Sequence, residues 1–187
     1  MNTQSSHNII VSPIEHIDME LLNQIVGGLM TVFDFPVQII HLVDNLEFAF
    51  DRQRRQYHST AILEVLDREA SSSALKVLGV TKHDLFIPIL THVYGEAQLG
   101  GRASIISLYR LREGISYRDN PKEYYSRVVK EAIHEIGHTF NLRHCDDPRC
   151  IMHYCRSIKD VDRKSTHLCR YCRTLLEDEI KRLMGGK

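Results

Sequence analysis

Apolar positions in the first hundred residues switch repeatedly between two periods. Asn8–Val11 (NIIV) and Val37–Val43 (VQIIHLV) are short apolar runs of strand character. Ile14–Val32 instead sets Ile14, Ile17, Leu21, Leu22, Ile25 and Leu29 at helical spacing, with Gly27-Gly28 weakening its C-terminal part. Thr60–Ala70 reads as a second helix, capped by Ser59 or Thr60. Asp84–Ile89, His92–Tyr94 and Ala103–Leu108 are further strand candidates, and Pro88 confines its strand to an edge or a bulge. Strands alternating with helices predict an α/β (α+β) layer on a mixed sheet.

The strongest helix pattern covers Asn120–Leu142. Asn120 suits the N-cap, Pro121 the first helical position, and Glu123 completes a capping box. Tyr125, Val129, Ile133, Ile136 and Phe140 form the core stripe, and His134 and His138 lie off it on a separate face. Beyond Leu142 the pattern fades. His144 to His167 is poor in apolar residues and rich in Cys, His, Arg and Asp, as in a lobe held by something other than an apolar core. Arg173–Met184 closes the chain as a helix ended by Gly185-Gly186. The expected division is a sheet-and-helix lobe over residues 1–141 and a Cys-rich lobe with a terminal helix over 142–187, together one compact domain.

Composition narrows the class. At 43% hydrophobic and 26% charged over 187 residues, the chain is neither collagen-like nor disordered and can bury a sizeable core. Lys plus Arg equals Asp plus Glu at 24 each, which argues against a dedicated nucleic-acid binder. The basic run Asp51–Gln56 (DRQRRQ) reads as a solvated loop. No leader pattern and no long apolar run is present, so a cytoplasmic protein without a membrane span is expected. All 5 cysteines fall between 145 and 172, an odd count with no export signal, which disfavours disulfides. Thiols clustered beside imidazoles point to metal.

Residues 134–144 read HEIGHTFNLRH. On a helix His134 and His138 stack one turn apart and can take two adjacent corners of a tetrahedron around zinc. Glu135 then reaches a metal-bound water rather than the metal. A continuous helix would carry His144 about 240° around the axis from His138, so the helix must end first for His144 to join. Asn141 is the natural breaking point, since Asn tolerates the left-handed conformation. Three histidines leave a fourth position open, the layout of a catalytic zinc. Cys145, Cys150, Cys169 and Cys172 follow C-x4-C-x18-C-x2-C, the spacing of a structural zinc whose binding energy replaces a core. A redox Cys169-x-x-Cys172 pair is a weaker option, because no thioredoxin-like strand precedes it. Cys155 is left over as a free thiol, or takes the place of Cys150. Because Cys145 follows His144, the thiol site would fix the third imidazole.

With those residues quoted, a family becomes recognisable. His134, Glu135, His138 and His144 match the metzincin zinc signature HExxHxxGxxH, and Met152 in CIMHY fits the methionine turn. Cys145, Cys150, Met152, Cys169 and Cys172 follow in the order of the archaemetzincin family of zinc metallopeptidases, which this chain resembles over residues 134–172. The resemblance implies a twisted mixed sheet with packed helices, an active-site helix above a small irregular zinc-stapled lobe, and two zinc ions, one catalytic and one structural. It implies hydrolysis of peptide bonds through a zinc-bound water, with Glu135 as general base and then acid. A peptide or protein substrate would lie along an edge strand within His92–Leu99. The signature glycine is Asn141 here, which could shift the turn and His144 with it. Tyr154, two residues after Met152, is either a packed loop tyrosine or, as in some metzincins, one that binds the metal or stabilises the oxyanion. His153 reads as a surface residue or a support behind the ligands.

Two other readings compete. The Cys lobe could be a peptide- or protein-binding module whose silent or partner-regulated zinc site is capped, with Asp160–Lys164 as its surface. It could also be a zinc knuckle for nucleic acid using Arg149, Arg156, Arg163, Lys164, Arg170 and Arg173, which the neutral total makes the weakest reading.

Overall fold

The computed structural model describes residues 7–115 and 121–185. In chain order the elements are β1 (Asn8–Pro13), α1 (Met19–Phe33), β2 (Val37–Ile39), β3 (Phe50–Asp51), β4 (Gln56–His58), α2 (Ser59–Glu69), β5 (Ala74–Thr81), β6 (Leu85–Phe86), β7 (Gly95–Ala97), β8 (Ala103–Ser107), α3 (Pro121–Thr139), α4 (Ile158–Arg163) and α5 (Arg170–Gly185). Five strands form one mixed sheet in the order β2-β1-β5-β8-β7. All neighbours are parallel except β7, which lies antiparallel to β8 and forms an edge. A second sheet, β3-β4-β6, is smaller.

Successive strand residues point to opposite faces, and both faces are covered. Ile9, Val11, Leu78, Val80 and Ile106 meet α1 and α3, whereas Ile10, Val77 and Ile105 meet α2. This explains why the strands read as continuous apolar runs. The face shared by α1 and α3 extends without a break into Cys150, Ile151 and Met152 of the Cys-rich segment. Phe140, just past α3, stacks on Phe33 and Phe35 at 5.2 and 5.9 Å between centroids and so anchors the end of α3.

The α/β class and the mixed sheet agree with the sequence pattern; several boundaries do not. The first helix starts at Met19, not Ile14, because Glu15 sits at φ 64° and the Asp18 carboxylate caps the helix by accepting from the Glu20 N–H at 3.1 Å. Ile14 and Ile17 are buried at 0% and 5% exposure, but as loop residues. Gly27-Gly28 does not weaken α1: a Cβ on Gly28 would lie 2.5 Å from Val129 Cγ1, so the glycine marks where α3 crosses closely. Strand β2 stops at Ile39. The 84–89 candidate reduces to Leu85–Phe86, and the 92–94 candidate moves on to Gly95–Ala97. Strand β5, the centre of the sheet, has no counterpart among the expected strands. Ser59 and Thr60 do not cap α2; their hydroxyls donate to the Glu96 carboxylate on β7. The expected Asn120 cap lies outside the described residues. Among the described residues no helix is long and apolar enough to cross a membrane.

Candidate metal centre and active site

Helix α3 carries the site, and the manner of its ending completes it. Asn141 is left-handed at φ 61°, Leu142 N–H donates to Gly137 O at 3.1 Å, and Asn141 N–H donates to His138 O at 2.9 Å. This is a Schellman turn, with Asn where glycine is usual. It reverses the chain so that His144 faces His134 and His138, their ring centroids 5.4 and 4.9 Å away.

The protonation pattern follows from the hydrogen bonds. His134 Nδ1–H donates to Ile151 O at 2.8 Å, and His138 Nδ1–H donates to Leu142 O at 2.7 Å. Each neutral ring therefore turns an unprotonated Nε2 inward, and the two Nε2 atoms lie 3.1 Å apart. Two lone pairs so close repel unless a cation lies between them. Two nitrogens bound to zinc at about 2.0–2.1 Å in a tetrahedron would be about 3.3 Å apart, so the donor set fits that ion. One ligand atom from each of the three histidines lies within 4.8 Å of the others. Burial holds the imidazoles neutral, with the Lys164 ammonium adding to the effect. His134 is pushed well below the usual range and His138 down to about 4.

Glu135 is buried at 6% exposure against the edge strand. A Cβ on Gly95 would lie 2.6 Å from Glu135 Cγ and 2.7 Å from its Oε1, so β7 admits the carboxylate because residue 95 has no side chain. Burial raises the Glu135 carboxyl well above the usual carboxylate range; Glu131 one turn earlier adds to this and Lys164 opposes it. Lys164 forms a 2.7 Å ion pair with Glu131, with side-chain exposures of 0% and 4%. The Gly95 contact and this buried pair were not legible in the sequence. A glycine interrupting a strand pattern was the one available signal.

Tyr154 is 45% exposed, with its ring 4.9 Å from that of His144. His153 Nδ1–H donates to Cys145 O at 2.8 Å and so supports the backbone beside the donors. Met152 is fully buried, and a Cβ on Gly137 would lie 2.5 Å from its sulfur, so it packs directly under α3. Sγ atoms of Cys145, Cys150, Cys169 and Cys172 all lie within 4.8 Å of one another, and Cys145 and Cys169 are 3.8 Å apart, the spacing of thiolates on one zinc. Cys155 is not in that group; it lines the cleft, its Sγ–H donating to His153 O at 3.6 Å. Of the basic residues considered for nucleic acid, Lys164 is buried and the Arg173 guanidinium donates to Val32 O at 3.0 Å. Nor is Asp160–Lys164 an open loop. It forms α4 and its end, with Val161 and Lys164 buried. Arg54, in the run expected to be solvated, donates to the carbonyls of Leu90 at 3.0 Å and Pro88 at 3.3 Å.

The three histidines and Glu135 open onto a cleft of about 720 Å³, walled on one side by residues from Ile87 to Leu99 and on the other by Arg143, His144 and Tyr154–Arg156.

Comparison with known proteins agrees with this geometry. A profile of peptidase family M54 matches residues 15–178. The archaemetzincin of Methanopyrus kandleri is 42% identical over 140 residues, 75% of each chain. That of Methanocaldococcus jannaschii is 37% identical over 171 residues, 91% of this chain and 93% of the relative. The crystal structure of the Methanopyrus kandleri archaemetzincin superposes with a TM-score of 0.85 at 32% identity, covering 97% of this chain and 99% of that one. The archaemetzincin of Archaeoglobus fulgidus, crystallised with malonate, gives 0.77 at 33% identity over 90% of this chain and 99% of its own. The chain belongs to peptidase family M54, the archaemetzincins, which makes it a zinc metallopeptidase.

Proposed function

We propose that this protein hydrolyses peptide bonds with Glu135 as the proton carrier, at a zinc ion held by His134, His138 and His144. The observation that carries this reading is the pair of inward Nε2 atoms 3.1 Å apart beside a buried carboxylate on an open cleft. Zinc in that position would polarise the scissile carbonyl and draw the pKa of a water toward about 7. Glu135 takes the proton of the attacking water and returns it to the leaving amine, a task suited to a carboxyl that burial holds above the usual carboxylate range. Tyr154 O–H donates to the oxygen on which charge develops, at the open side of His144. Strand β7, paired through Gly95–Ala97 with β8 on one side, offers its other edge to an extended peptide.

A second zinc held by Cys145, Cys150, Cys169 and Cys172 fastens the lobe from residue 142 onward. Four thiols close a tetrahedron and leave no position for substrate, so this ion serves folding.

The test is incubation of zinc-loaded protein with a diverse peptide mixture, with Glu135→Ala in parallel and new termini read by mass spectrometry. New termini should form with the unmutated protein alone. Equal cleavage by both would remove Glu135 from the mechanism, and an intact mixture in both would remove peptide hydrolysis.

A further inference from the structure

We propose that the cleft selects peptides carrying a carboxylate within about two residues of the bond to be cut, and that Arg143 and Arg156 receive it. The inference deepens the peptidase reading above and rests on it.

The two walls of the cleft differ in chemistry. The wall from Ile87 to Leu99 contributes the apolar side chains of Ile87, Leu90, Val93 and Leu99. The opposite wall contributes Arg143 and Arg156, both exposed. Acids in the same lining already have work. Glu96 accepts from the Ser59 and Thr60 hydroxyls, Glu131 is paired with Lys164, and Glu135 is the proton carrier. Among the described residues no carboxylate or carbonyl engages either guanidinium. Arg54, Arg102, Arg110 and Arg127 show the alternative, each spent on an internal acid or carbonyl. What sets Arg143 and Arg156 apart is that both line one wall of the cleft.

Chain connectivity fixes how far they are from the chemistry. Arg143 is bonded to His144, and Arg156 stands two residues after Tyr154, whose ring is 4.9 Å from that of His144. One or two residues of backbone span at most about 7 Å. The backbones that carry both arginines therefore lie within a dipeptide's length of His144 and Tyr154, and both side chains line the same cleft. A guanidinium fork takes a carboxylate through two parallel N–H bonds, which gives orientation as well as attraction. The expected substrate is amphipathic, with apolar side chains toward the Leu90–Leu99 side and an acid toward the arginines. The acid is an Asp or Glu side chain or the peptide's own C-terminal carboxylate.

The test separates binding from cleavage. Zinc-loaded Glu135→Ala protein, which holds peptides uncut, is titrated into fluorescent octapeptides identical except for Asp or Asn near the centre. A second pair differs as C-terminal acid against amide. The acidic member of at least one pair should bind roughly threefold to tenfold tighter at low salt, and the difference should shrink at high salt. The pair showing it identifies the source of the carboxylate. Adding Arg143→Gln and Arg156→Gln should abolish the difference without moving the melting temperature, since both side chains are exposed. Equal binding within both pairs, a preference that survives the double substitution, or no binding at all would overturn the assignment. Cleavage by the unmutated protein without charge preference would remove the arginine assignment and leave the peptidase. Charge-dependent binding without any cleavage would do the reverse.

Discussion

The imidazole cluster leaves its third member, His144, exposed on the wall of a cleft, whereas the thiol cluster one peptide bond away turns Cys150 and Cys172 inward at 1% and 3% exposure. The first gathers three donors and faces solvent. The second gathers four and faces the core formed by Ile151, Met152 and Leu176. Donor number and direction thus separate the site proposed to do chemistry from the one proposed to hold chain together, although both draw on the same stretch of backbone. Burial of the histidines rests on an ordinary apolar helix interface. The irregular segment joins the same core through Ile151, Met152 and Leu168 and adds two ion pairs to α3, Lys164 with Glu131 fully buried and Arg127 with a half-exposed Asp162.

The comparison breaks first at the thiols. Cys172→Ser should cost at least about 3 kcal/mol in stability and reduce bound zinc at both sites, whereas His138→Ala should lose one zinc and keep a cooperative melt. Metal content by mass spectrometry beside calorimetry checks both, and equal melting temperatures would erase the distinction. Next in size, Glu135→Ala should lower kcat by about a thousandfold while zinc content stays unchanged. Tyr154→Phe should cost about a hundredfold in kcat with little change in KM; a packing role would leave kcat near that of the parent. Gly95→Ala, which pushes on the Glu135 carboxylate, should cost about tenfold to a hundredfold in kcat with an unchanged circular dichroism spectrum.

The smallest effect concerns the sheet behind the site. Lys76 Nζ donates to Gly101 O at 2.7 Å and Thr139 O at 2.6 Å, and burial lowers its pKa from 10.5 to about 8. Between those values the unfolded chain binds more protons than the folded one, so stability rises with pH. Unfolding by urea at pH 7 and pH 10 should show the parent gaining about 1–2 kcal/mol relative to Lys76→Met over that interval.

The candidate metal donors were legible because their spacing is local. His134 and His138 belong to one helix turn, Cys145 and Cys150 to one loop, Cys169 and Cys172 to the start of α5, and Asn141 names its own turn. The centre of the sheet was not. In ALKVLGVT, Lys76 and Gly79 interrupt the apolar run, and nothing nearby reveals that Lys76 is buried against the end of α3. Lys164 read as surface charge for the same reason. Its partner, Glu131, is 33 residues away, and a buried pair of opposite charges leaves no periodic trace. Gly95 was hidden likewise, because the side chain it accommodates belongs to another element.

The single peptide bond between His144 and Cys145 has a thermodynamic corollary. Filling either donor cluster would stiffen a residue of the other, so the ordering cost of the second binding event would be partly met by the first. Reciprocity requires the two affinities to rise by the same factor. Titrating apoprotein with zinc should then give steeper uptake than two independent sites, and emptying one cluster would weaken the other by that same factor without emptying it.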